Sequence, residues 1–261
     1  MHIGILLALG VLGAALHAQQ ATPPPNPPPA PAGATPPSAI PAAPAPASDG
    51  YVAYAEHDML KMLGTRTDEE GHEQHFLDVQ FVGSVYEDLA LHAQNYPPTF
   101  RSDAERVRAT RDADILSRTL DEVLKDGDPP DQVLLLAARA HALAHNLDVR
   151  EAGARASRTF ERILAKDPKN AQAHFHYGAF LAASGSRPDD ALAHLKQATE
   201  LGVDDAWYAL GMHYLALGDR EKAISCFETY TQRRPADQSA RKMLEGLKSG
   251  KIKVNVSNTK R

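Results

Sequence analysis

Twelve histidines supply the most conspicuous chemistry in this chain of 261 residues. Two groups of them have spacings that suit a metal ion. His141 and His145 stand four apart in "HALAH", so on a helix both rings leave the same face. Two such imidazoles are half of a zinc or copper site, which His174 or His176 would complete from a neighbouring helix. His72 and His75, amid Glu69, Glu70, Glu73 and Asp78, make a second set of nitrogen and oxygen donors. "HALAH" lacks the glutamate that a metalloprotease helix carries between its histidines. Ordinary groove or surface histidines are therefore the default, and no metal or other cofactor is expected.

The rest of the chemistry points away from catalysis. There is no Gly-rich phosphate loop, no nucleophile elbow and no pair of cysteines for zinc. Carboxylates such as Asp189–Asp190 and Asp204–Asp205 fall where helices should start, a capping role. Cys226 is the single cysteine, which excludes an internal disulfide and suits a half-buried structural thiol. A net charge of −5 with acids and bases interspersed argues against a nucleic-acid surface, which needs a basic patch.

The elements that would position these residues are helical. Residues 3–48 contain no Asp, Glu, Lys or Arg, and 12 of the 19 prolines lie between Pro23 and Pro46, so the folded part starts near residue 50. The apolar run 3–15 reads as the core of a secretory signal over 1–18, or a retained anchor, and is too short to span a bilayer comfortably. Residues 19–49 are a disordered Pro/Ala-rich linker, extended because proline removes donors and fixes φ. Export to the periplasm or cell envelope follows as the expected localisation. Beyond residue 50 the period is that of a helix, with helices expected over 51–63, 74–95, 102–125, 132–147, 151–166, 171–184, 188–201, 205–217, 220–233 and 237–248. The seven prolines outside the linker all fall at boundaries of this scheme, as helix interiors demand. The only strand-like alternation is "KIKVNV" at 251–256, in a basic flexible tail over 250–261.

A unit of two helices recurs. Trp207, Leu210, Gly211 and Tyr214 form one stripe, Ala223, Phe227 and Tyr230 a matching one, with Gly218 to end the first helix, Asp219 to cap the second and Pro235 to stop it. Tyr177-Gly178 precedes Leu210-Gly211 by one period in the thirties, and Ala156-x3-Phe160 mirrors Ala223-x3-Phe227. Small residues at Gly211 and Ala223 let two backbones approach, and stacked neighbours must bury what a single hairpin leaves open.

These residues resemble the tetratricopeptide repeat, in an exported protein of bacterial type. The match is close over 204–237, looser over 171–203 and 137–170, and covers about 100 residues. The resemblance implies an all-α fold: a right-handed α-solenoid of helical hairpins, with an array over 132–249 that ends in a C-terminal capping helix. Residues 50–131 are a divergent helical region, where Val82-Gly83-x2-Tyr86 resembles a first-helix pattern without its partner stripe. The family register places His141, His145, Phe175, Tyr208 and Met212 on the concave groove. It carries no support for the family's basic clamp, since the matching positions hold histidine and phenylalanine. The implied function is a non-catalytic scaffold or adaptor that binds a protein or peptide partner in that groove. A periplasmic zinc- or copper-binding protein, and an accessory subunit of an envelope polysaccharide or secretion complex, are the alternatives. Partner identity and oligomeric state are not encoded in any motif.

Overall fold

The structure, a computed structural model, describes residues 51–252. The signal, the linker and the tail beyond Ile252 lie outside the described residues. Among the described residues nine helices carry the fold: α1 Val79–Ala93, α2 Asp103–Val123, α3 Asp131–Asn146, α4 Ala152–Lys166, α5 Ala171–Ser184, α6 Pro188–Glu200, α7 Asp204–Ala216, α8 Arg220–Arg233 and α9 Gln238–Lys248. From α3 onward every boundary lies within a residue of the expectation. Side chains fix them. Asn170, Asp219 and Asp237 accept from the N–H groups of Ala173, Lys222 and Ala240 at 3.0, 3.1 and 2.9 Å, and Gly185 and Gly218 take positive φ just past α5 and α7, where a Cβ would be strained.

The helices pair as α3–α4, α5–α6 and α7–α8, and α9 closes the array against α8. The first helices of successive pairs, α1, α3, α5 and α7, lie side by side. Backbone approach depends on the small residues. A Cβ at Gly178 would sit 2.8 Å from Leu195 Cγ and 2.9 Å from its backbone nitrogen, and one at Gly211 3.1 Å from the Phe227 ring. Phe160, Tyr177, Leu195 and Phe227 are fully buried within and between the pairs, and the Phe160 and Tyr177 rings stack at 5.1 Å where α4 meets α5.

The N-terminal region corrects the sequence reading. Residues 51–58 form no helix but an extended strap, followed by a 3-10 turn at Met59–Met62 and an antiparallel ribbon of β1 Leu63–Thr67 and β2 Glu73–Leu77. A helix over 51–63 was expected there, with another over 74–95 that the structure begins at Val79. The turn is made by Asp68, whose carboxylate accepts from the N–H groups of Glu70 and His72, and by Gly71 at φ +85°. Gly64 leaves room for the Phe76 ring across the ribbon. The strap bridges two helices that barely touch each other. The Tyr54 hydroxyl donates to Asp112 of α2 at 3.1 Å. Ala55 N–H and His57 Nε2 both meet Asp88 of α1 at 2.9 Å. Tyr54 and Met62 are buried in the gap.

Candidate functional site

The inner wall formed by α1, α3, α5 and α7 is the candidate site. Each of α3, α5 and α7 starts at a sharp boundary, so their positions can be matched by counting from residue 131, 171 and 204. The fifth residues are Leu135, Phe175 and Tyr208; the ninth are Arg139, Ala179 and Met212. Phe175 and Tyr208 are half-buried. The Phe175 ring tilts over His176 at 4.8 Å, and the Tyr208 ring meets the edges of Phe227 and Tyr230, both at 5.3 Å. Met212 is only 8% exposed, so it belongs to the floor of the wall and offers little free surface.

The histidines need correction. His141 is 1% exposed and lies between helices. Its Nδ1 is 2.8 Å from the Ser117 hydroxyl of α2, which in turn accepts from Arg155 of α4 at 2.9 Å. His145 abuts Gly153, where a Cβ would come within 3.0 Å of the ring, and meets the edge of Phe180 at 5.5 Å. His141 offers no surface to the wall, and the reason is a shifted register. Counting back from Ala156 and Phe160 at the fixed repeat spacing aligns Ala144 with Gly178 and Gly211. Counting forward from the helix starts aligns Ala138 with them instead, because α3 and the connection after it are both longer than their counterparts around α5 and α7. His141 then matches Leu181 and Tyr214, which are buried between helices as it is.

Leu135 and Arg139 are the wall residues missed, and the Pro129–Pro130 boundary was the signal that could have found them. The Arg139 guanidinium lies 4.6 Å from the centroid of Tyr86 on α1. It also faces His176 of α5, whose pKa is pulled down to about 4 by burial first and by this guanidinium second. The wall thus carries a cation at its α1–α3 end and apolar and aromatic groups toward α7.

The Ser117–His141 pair has the composition of a nucleophile and base but cannot act as one. Ser117 is fully buried, and burial, with Arg155 and Arg158 adding positive charge, drives His141 down to about 3. It accepts no proton near neutrality. The proposed metal sets are not assembled. His174 Nδ1 faces His194 Nδ1 at 2.9 Å and not His141 or His145, and His72 is an exposed neighbour of Asp68 and Glu70, each at 3.6 Å. Among the described residues no group of three or more histidine, cysteine or carboxylate side chains is arranged to hold a metal ion. No helix of the described residues is long and apolar enough to cross a membrane.

The tetratricopeptide repeat family model matches residues 204–237, and the chain is accordingly a protein that bears this repeat. No curated protein matches the sequence. Among solved structures, that of MamA is similar at 22% identity and a TM-score of 0.46, over 59% of this chain and 86% of that one. TTC0263, a thermophilic repeat protein of Thermus thermophilus, is similar at 16% identity and a TM-score of 0.47, over 66% and 94%. YrrB, described as having an unusual peptide-binding site, is similar at 19% identity and a TM-score of 0.42, over 67% and 84%.

Proposed function

We propose that the chain is a non-catalytic interaction scaffold that holds a peptide or partner protein against the inner wall of its helical array. The repeat itself implies protein–protein interaction. The finer reading rests on one observation: Phe175 and Tyr208 stand at the same position of successive first helices and both stay half-buried. Aromatic anchors at a fixed spacing on a rigid wall are what concentrates binding energy in a few side chains. The strap's hydrogen bonds end on α1 and α2, so none of the described strap contacts occupies the wall at α5 and α7. The scaffold's expected place, outside the cytoplasm on a proline-rich tether, is carried by the sequence of residues 1–49 alone.

Native crosslinking followed by mass spectrometry should recover a partner whose yield falls when Phe175→Ala and Tyr208→Ala are combined, with the helical signal in circular dichroism retained. Equal recovery by the folded double variant refutes the wall as the binding surface. Separately, a reporter enzyme active only outside the cytoplasm, fused after residue 49, should be active; an inactive, cytoplasmic fusion refutes export and leaves the scaffold reading standing.

A further inference from the structure

The β1–β2 ribbon is not used by the binding wall, and its hydrogen bonding leaves the β1 edge open. Asp68 N–H donates to His72 C=O at 3.0 Å and Asp78 N–H to Met62 C=O at 2.9 Å. Those two closures fix the parity of the ladder between them. In the register Gly64↔Phe76, Thr65↔His75, Arg66↔Gln74 and Thr67↔Glu73, Gly64 and Arg66 bond inward to β2. Leu63, Thr65 and Thr67 therefore turn their backbone groups outward. Leu63 N–H is taken by Leu60 C=O. Thr65 and Thr67 are exposed, and their outward N–H and C=O groups meet no other described backbone. Such an edge is ordinarily blunted by lysine, proline or a bulge, and a ribbon of two strands gains stability from a third. Here the edge reads Thr-Arg-Thr, two β-branched residues on either side of one charged side chain, with no lysine, proline or bulge.

We propose that this edge accepts residues 253–256 of a second copy of the chain. "KVNV" continues the alternation begun by Lys251-Ile252, with Val254 and Val256 on one face and Lys253 and Asn255 on the other. Charge favours the pairing. Glu69, Glu70 and Glu73 lie exposed around the ribbon's turn, whereas the tail carries Lys251, Lys253, Lys260 and Arg261 and no acidic side chain. The partner is a second copy because the chain's own tail starts at the wrong end. Ile252 is anchored to α9, its N–H donating to Gly246 C=O at 3.0 Å, and α9 packs on α8 at the far end of the array. From α1 through α3 and α5 to α7 there are three interhelical steps of roughly 8–10 Å each, and Lys253 follows Ile252 with no intervening chain. A contact between the front of one copy and the end of another is heterologous, so it propagates head to tail unless the rotation closes it into a ring.

The test uses a fluorescent peptide of sequence GKIKVNVSNTKR, titrated into the full chain and followed by anisotropy. Saturable binding that weakens with salt and falls at least about tenfold, some 1.4 kcal/mol, in Thr65→Pro is the expected result. Proline at that position removes an outward donor and no inward ladder bond. Equal affinity for wild type and Thr65→Pro, or no saturable binding to wild type, overturns the proposal. Should Thr65→Pro lose the ribbon itself, Glu69→Lys with Glu70→Lys replaces it, and unchanged affinity there overturns the proposal equally. In sedimentation velocity the full chain should self-associate with concentration and Val254→Pro should not; a chain that stays monomeric, or a variant that associates as well, counts against it.

Discussion

One substitution, glycine to alanine, separates the roles of three helical glycines. In a helix interior the change by itself is worth up to about 1 kcal/mol in favour of alanine. At Gly83 of α1 an added Cβ meets nothing within 4 Å, so Gly83→Ala should stabilise by about 0.5–1 kcal/mol. At Gly178 of α5 it would come 2.8 Å from Leu195 Cγ and 2.9 Å from a backbone nitrogen of α6. A side-chain tip could move aside, but a backbone atom moves only with its helix. Overpacking of that kind costs about 1–3 kcal/mol, and contact with a backbone atom puts it in the upper half of that range, about 2–3 kcal/mol, which leaves a net loss of about 1–2 kcal/mol after the propensity gain of about 1 kcal/mol. Gly211→Ala lies between, since its nearest atoms are the Phe227 ring at 3.1 Å and Cys226 Cβ at 3.3 Å. Urea unfolding followed by circular dichroism gives the order, with m-values compared to check that the array still unfolds as one unit. A Gly178→Ala variant as stable as wild type, or a destabilised Gly83→Ala, would refute the claim that close hairpin packing in α5–α6 is absent around α1.

Other consequences follow from buried polar groups. His141 is held neutral in the fold, with its pKa pulled down from 6.5 to about 3 by burial and then by Arg155 and Arg158. The unfolded chain therefore binds a proton that the native chain refuses, and stability falls as pH drops from about 6.5 toward 3. At pH 4.5 the loss from this residue is about 3 kcal/mol, and His141→Gln should remove most of it when urea midpoints at pH 7 and 4.5 are compared; an equal acid penalty in the variant contradicts the assignment. Tyr54→Phe deletes the strap's hydrogen bond to buried Asp112 at a cost of about 1.5–3 kcal/mol, whereas Tyr54→Ala should cost about 3–5 kcal/mol by emptying the gap. Amide exchange over 51–62 should accelerate in both, and protection equal to wild type in Tyr54→Ala shows that the strap is held elsewhere. Burial raises the Cys226 thiol to about 11, so thiol reagents at neutral pH should modify it only with unfolding; rapid modification of the native chain disproves its burial.

The helices of the array were legible because their stop signals are local. Pro168, Pro188 and Pro235, Gly185 and Gly218, and the caps Asn170, Asp219 and Asp237 act within a few residues of where they stand. The ribbon was not legible. Gly64 breaks the alternation of β1, and what compensates is the Phe76 ring across the pair, a contact that composition does not announce. The inner wall was half legible. Phe175 and Tyr208 keep matching, half-buried positions because α5 and α7 keep the repeat spacing up to their glycines. His141 and His145 do not, because α3 and the connection after it are both longer and a backward count from Phe160 lands on another face. A shift of this size carries a helical position from the wall to the core, which is why Arg139 beside Tyr86 was overlooked.

The two ends of the array are closed by different means, and the difference explains why the front resembles a repeat without being one. A stacked hairpin at an end exposes a face that a further hairpin would have covered. At the back α9 covers it as an amphipathic helix, burying Ala240 and Leu247 and leaving Arg241, Lys242 and Glu245 exposed. At the front α1 and α2 stand apart, and the strap fills the space between them with Tyr54 and Met62. That insertion requires polar groups where a repeat would have apolar ones: Asp88 to receive Ala55 N–H and His57, and Asp112 to receive Tyr54 and Arg111. Asp112, fully buried on α2, stands where the partner stripe to Val82-Gly83-x2-Tyr86 would carry an apolar residue. The two carboxylates also fix the strap on α1 and α2, away from α5 and α7, so closure of the front end and access to Phe175 and Tyr208 do not compete.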